Sequence, residues 1–208
     1  MEQLMKHLIK PNLCCIRCSR KCLITPYTDV LIGRCEIQKF TVWPGNNNYL
    51  IEGLKSSFPQ KKESTLLRNI VFVDFSIYNL RYFTNSYWLE NLKKTGLVII
   101  LVCDDKMISL ANFWSENDMS VNKMLHRGSN IDNINEVICS NRIHTEGGEN
   151  KRIVSLNENE MKFLDLTFQG CALSAMPKVM SLGKKKVYNI KQSIHRKMGA
   201  DLHQLICI

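Results

Sequence analysis

Two short, unbroken apolar runs constrain this chain more than any other feature: Ile70-Val71-Phe72-Val73 and Leu97-Val98-Ile99-Ile100-Leu101-Val102. Neither alternates apolar with polar residues, so neither suits a half-exposed strand; both fit central strands of a parallel sheet covered on each face. Helical spacing surrounds them. Asn48 to Phe58 repeats apolar residues at Leu50, Ile51 and Leu54, Met107, Leu110, Ala111 and Trp114 make a second stripe, and Ile131, Ile134, Val137 and Ile138 a third. With strand-like segments at Ile37 to Trp43 and near Lys123 to His126, this alternation predicts an open α/β domain with helices on both faces. The apolar runs fall far short of the roughly 20 residues that cross a bilayer, so no membrane span is expected. Met1 to Leu13 is broken by Lys6, His7, Lys10 and Pro11 and does not read as a secretory signal. The expected location is therefore the cytoplasm, where the nine cysteines would be mostly reduced.

Charge separates the chain further. Residues 1–40 hold seven basic and three acidic groups, residues 41–150 eleven and twelve, and residues 151–208 ten and four. A near-neutral middle beside a basic carboxy-terminal part points to one module that binds a polyanion. His144-Thr145-Glu146-Gly147-Gly148-Glu149-Asn150 is polar with paired glycines, and a linker is expected over 144–154.

In the basic part, Asn157 is a helix cap with Glu160 three residues on, followed by Met161, Leu164 and Phe168 at helical spacing and a stop near Gly170. A second, short helix is expected to start with Ser174 as its cap, placing Pro177 in its first turn, and Gly183 to break the chain again. From Lys184 to Met198, Val187, Ile190, Ile194 and Met198 form one apolar stripe. The other face carries Lys184, Lys185, Tyr188, Asn189, Lys191, Gln192, His195 and Arg196, with Lys186 beside the first two lysines. Such a face is in most proteins merely solvated. Three helices in this order, the last basic and rich in amides, favour instead a helix-turn-helix whose last helix enters the major groove of double-stranded DNA. The lysines would meet phosphates, Asn189 and Gln192 can offer a donor and an acceptor together to an adenine edge, and Tyr188 a contact to a thymine methyl or a phosphate.

The string Leu156-Asn157-Glu158-Asn159-Glu160, then Gly170, Leu182, Lys186-Val187-Tyr188 and Ile194-His195-Arg196-Lys197-Met198-Gly199 resembles the LuxR/FixJ-type helix-turn-helix of bacterial response regulators. That resemblance puts the base-reading positions on Tyr188, Asn189 and Gln192. The chain departs from the family at Met176-Pro177, at Gly183, at Lys186 and at Ile190, where Ile-Ala, a Ser/Thr, a Thr and a His are usual. An α/β domain before such a segment looks like a receiver, with Asp74 at the phosphate-accepting place. The magnesium-holding acids that phosphoryl transfer needs are replaced by Pro44-Gly45-Asn46-Asn47-Asn48, the hydroxyl by Cys103, and the lysine by Arg127 or His126. The expected architecture is thus an α/β receiver-like (pseudo-receiver) domain over 36–143 followed by an all-α LuxR-type helix-turn-helix domain over 155–208. Dimerisation, with another copy or a related regulator, is the expected role of the first. More narrowly, Trp43-Pro44, Tyr49, Gly53-Leu54 and the stretch from Leu110-Ala111-Asn112-Phe113-Trp114 to Arg127-Gly128 resemble the enterobacterial regulators of fimbrial operons, the EcpR/MatA and FimW proteins. This resemblance implies control of fimbrial, adhesion or motility genes.

Residues 1–35 form a basic, cysteine-rich segment. Cys15, Cys18, Cys22 and Cys35 could hold zinc as four thiolates, and Arg17, Arg20 and Lys21 would make neighbouring thiols redox-sensitive. A reduced segment touching the domain or nucleic acid is the favoured reading, with no cofactor. No carboxylate pair, activated nucleophile or phosphate-cradling loop stands out, so an enzyme is not expected. The chain reads as a sequence-specific DNA-binding regulator; a partner that heterodimerises with a related regulator and contributes little DNA contact, or a cysteine-based metal or redox sensor, are the competing readings.

Overall fold

The structure, a computed structural model, describes residues 12–16, 21–23, 40–57, 70–121, 123–126 and 154–206. A six-stranded sheet runs in the order β2-β1-β3-β4-β5-β6, formed by β1 (Asn12–Cys15), β2 (Lys21–Leu23), β3 (Phe40–Trp43), β4 (Ile70–Phe75), β5 (Val98–Cys103) and β6 (Met124–His126). The chain divides into two compact units, one of residues 1–74 with 90–99 and one of residues 75–89 with 100–208.

In the first unit β3 pairs parallel with β4, from Phe40 opposite Ile70 to Trp43 opposite Val73. Every residue of both strands is buried, as continuous apolar runs require when both faces are covered. The crossover between them contains α1 (Asn48–Ser57), which turns Ile51 and Leu54 inward. The Thr41 hydroxyl sits in this core and donates to the Ile70 carbonyl at 3.1 Å, so its burial leaves no hydroxyl unsatisfied. Beyond β3 the sheet turns antiparallel: β1 pairs with β3 through Cys14 opposite Val42, and β2 pairs with β1 through Leu13 opposite Cys22. The sheet is therefore mixed, and its cysteine-bearing hairpin extends the sheet where the sequence showed only a basic segment.

The second unit carries residues 100–103 of β5, paired parallel with β6, with the 3-10 turn Asp105–Met107 and α3 (Ile108–Asn117) between them. Its aromatic centre is built from Phe75, Phe83, Trp88 and Trp114. Phe75 and Phe83 stand 4.0 Å apart between centroids, and Trp88 meets Phe83 and Trp114 edge-on at 5.2 and 5.7 Å. The Trp114 indole donates to the Phe83 carbonyl at 3.0 Å, which ties α3 to the loop after the 3-10 helix Ile77–Tyr82. A short helix, α2 (Tyr87–Lys93), supplies Trp88. The chain ends in α4 (Glu158–Phe168), α5 (Met176–Val179), α6 (Lys184–Met198) and α7 (Leu202–Ile206).

The helix expected around Ile131 to Ile138 and residues 144–153 of the expected linker lie outside the described residues. No helix among the described residues is long and apolar enough to cross a membrane.

Candidate nucleic-acid interface

α4 begins where its sequence signature says it must. The Asn157 side chain accepts the Glu160 amide at 3.0 Å, and the Glu160 carboxylate accepts the Asn157 amide at 2.8 Å, a reciprocal capping box. The helix closes at left-handed Gly170 (φ 80°), whose amide reaches the Thr167 carbonyl while that of Cys171 reaches Leu166.

α5 departs from expectation. It spans four residues and its cap position is Ala175, not Ser174. The reason is local: the Ala172 carbonyl takes the amides of both Ala175 and Met176, drawing Ser174 into the preceding turn. Pro177 does lie in the first turn, where no amide bond is lost. The chain then reverses at Ser181 (φ 56°) rather than at Gly183, which is extended (φ −66°, ψ 150°) and serves as the cap of α6. Ser181 donates its amide to Lys178 and Leu182 donates to Pro177, the bonding of a helix end that usually places glycine at the left-handed position. Ser181→Gly removes that backbone strain and should stabilise the protein by about 0.5–1 kcal/mol, readable as a higher urea midpoint; a lower midpoint would show the serine side chain to matter more than its φ.

α6 has the expected boundaries. Val187, Ile190, Ile194 and Met198 are buried, and the helix packs on α4, α5 and α7 and on α3 with its preceding 3-10 turn. Left-handed Gly199 ends it. The outward face presents Lys184, Lys185, Lys186, Tyr188, Asn189, His195 and Arg196 as exposed side chains, with Lys191 and Gln192 half-buried between them. Tyr188 is 60% exposed, so its ring is available to a partner. No acid lies in the first turn and no side chain caps it. Three lysines beside the positive end of the helix dipole oppose folding mildly and attract an anion, whereas His195, Arg196 and Lys197 complement the negative end. His195 is not wholly committed outward: its Nδ1 lies 3.1 Å from the Asp201 carboxylate.

Lys197 belongs to a different system, which the sequence did not reveal. Its ammonium contacts the Glu160 carboxylate and the Ser155 carbonyl, each at 2.7 Å. The Glu160 side chain is 2% exposed and that of Lys197 17%, making this a buried ion pair that ties the end of α6 to the start of α4. Further along α4, Asp165 accepts from the Thr84 hydroxyl at 2.9 Å and the Asn85 amide at 3.2 Å.

Asp74, the receiver-like position, is buried and accepts a hydrogen bond from the Asn47 side chain at 3.0 Å. Asn47 in turn accepts the Leu50 amide at 3.1 Å, so the carboxylate orients the residue that starts α1. Asp104 accepts the Ile77 amide at 3.1 Å. Burial, with the Asp104 charge adding, pushes the neighbouring Cys103 thiol well above the usual range, so it behaves as a small apolar residue.

Of the cysteines considered for zinc, Cys15 is buried in β1, the backbone of Cys22 is in β2, and Cys18 and Cys35 lie outside the described residues. Among the described residues no group of three His, Cys, Asp or Glu side chains is placed to hold a metal.

The family model described as the EcpR N-terminal domain matches residues 14–142, from the cysteine hairpin through β6, and so leaves α4 to α7 outside it. A protein of Escherichia coli (strain K12) named uncharacterized protein YqeH is 27% identical over 198 residues, which cover 93% of this chain and 92% of that protein. No solved structure matches the chain.

Proposed function

Because the chain belongs to the EcpR N-terminal domain family, we propose that it is a regulator of transcription which binds double-stranded DNA in a sequence-specific manner through α6. The observation that carries this reading is the outward face of that helix, basic, free of acids and held by an apolar stripe on its other side. In this reading α4, α5 and α6 act as a LuxR-type helix-turn-helix. Lys184, Lys185, Lys186, Lys191, His195 and Arg196 meet phosphates, and Tyr188, Asn189 and Gln192 meet base edges. The α/β part acts without phosphorylation, since Asp74 is buried against Asn47, and serves association with a second copy or a related regulator. The genes controlled are those of fimbriae or adhesion, on the resemblance of the Leu110 to Gly128 stretch to fimbrial regulators, and the protein works in the cytoplasm.

The test is base discrimination. Asn189→Ala and Gln192→Ala should each weaken preference for a duplex enriched from a random pool, over its base-swapped counterpart, by about 1–3 kcal/mol. Competition binding measures this, and unchanged preference in both variants would remove Asn189 and Gln192 from base reading.

Two features favour the second reading, a regulator's partner with little DNA contact of its own: the four-residue α5, and the Asp201 carboxylate drawn against His195. Purified chain that shifts no duplex alone, but does so with a related regulator, would establish it.

A further inference from the structure

We propose that Ser109 is the positioning residue that sets α6 for base reading, by clamping the entry to α4 and the end of α6 to α3. The inference rests on the DNA-binding reading above.

Ser109 lies in the first turn of α3 and is buried. Its hydroxyl donates to the Lys197 carbonyl at 2.9 Å. That carbonyl is one of the last four of α6, which have no partner within their own helix and need one from elsewhere. Ser109 also uses its backbone: its carbonyl accepts the Leu156 amide at 3.0 Å, one residue before the Asn157 cap of α4. A single residue of α3 thus holds the entry to α4 and the exit of α6. The loop is closed on the far side by Lys197, whose ammonium reaches Ser155 and Glu160. Thr84 and Asn85 hold Asp165 further along α4, so that helix cannot pivot about its first turn alone.

What such a clamp does follows from the two kinds of DNA contact. Lysines on flexible stems find phosphates over a range of helix orientations, whereas Asn189 and Gln192 need a helix held to within about 0.5 Å to pair with base edges. Ser109 therefore governs discrimination between sequences and leaves phosphate attraction unchanged.

The experiment compares the full chain with Ser109→Ala and Ser109→Thr. It uses a duplex enriched from a random pool by the wild-type chain and a scrambled duplex of the same base composition. Affinities are read by anisotropy across a salt series, and amide exchange is followed at residues 195–200 and in β4. For Ser109→Ala the affinity ratio between the two duplexes should fall about tenfold, the worth of one lost buried hydrogen bond. The salt slope should stay constant, and exchange should quicken at 195–200 but not in β4. Ser109→Thr, which keeps the hydroxyl, should restore both. Undiminished discrimination with unchanged exchange at 195–200 overturns the proposal. So does loss of discrimination that Thr fails to restore while β4 exchange also quickens, which marks a general packing role. A wild-type chain with no preference between the duplexes overturns the DNA reading and, with it, the purpose of the clamp; the exchange pattern then decides separately whether the clamp exists.

Discussion

Replacing Lys184, Lys185 and Lys186 together with alanine should lower affinity for any duplex by about two to three orders of magnitude at roughly 0.1 M salt. The figure follows from counterion release. Each phosphate neutralised contributes about 0.9 to the slope of log affinity against log salt, so three lost contacts flatten it by about 2.7. All three side chains are exposed and none contributes to the apolar stripe. The fold should survive, and removing like charges from the positive end of the helix dipole should relieve a small strain. A salt titration by fluorescence anisotropy measures slope and affinity together. An unaltered slope would show that the first turn of α6 faces no phosphate.

The second large effect concerns stability. Lys197→Met should cost about 3–5 kcal/mol, because it leaves the Glu160 carboxylate, 2% exposed, without its counter-charge. The loss is a sizeable share of the roughly 5–15 kcal/mol that holds such a protein folded. Glu160→Gln should be milder: a glutamine still completes the capping box with Asn157, and Lys197 keeps the Ser155 carbonyl. The double variant should recover most of the loss, since a buried pair replaced on both sides leaves no unpaired charge. Urea unfolding followed by circular dichroism decides the matter. A cost below about 1 kcal/mol for Lys197→Met would mean that Glu160 finds other solvation.

Much of this architecture could be read in the sequence where the deciding interactions are local. Val187, Ile190, Ile194 and Met198 define α6 within one helix, and Asn157 with Glu160 defines the start of α4 within four residues. The unbroken apolar runs that became β4 and β5 announce central strands without any partner being known: every residue of β4 is buried, and all of β5 except the half-buried Val98 and Val102. β4 runs two residues beyond its apolar run and carries Asp74, whose carboxylate accepts from Asn47, a bond across 27 positions that no local pattern announces. The hairpin of β1 and β2 is not legible in the sequence because strands this short owe their conformation to pairing, β2 with β1 and β1 in turn with β3, far along the chain. The cap of α5 is Ala175 rather than Ser174 because the Ala172 carbonyl captures two amides, which nothing in composition announces. The basic face of the candidate interface was legible residue by residue. Its support was not: the Ser109 hydroxyl and the Lys197 carbonyl are 88 positions apart, and nothing local to Lys197 marks it as the partner of Glu160.

The edge-on packing of Trp88 against Trp114, with Phe75 and Phe83 around them, makes the second unit its own spectroscopic gauge. Two of the chain's three tryptophans share that cluster, so near-ultraviolet dichroism and intrinsic emission are weighted toward the neighbourhood of α3. Loosening of the framework beneath the basic helix can therefore be watched optically, without attaching a dye to the surface under study.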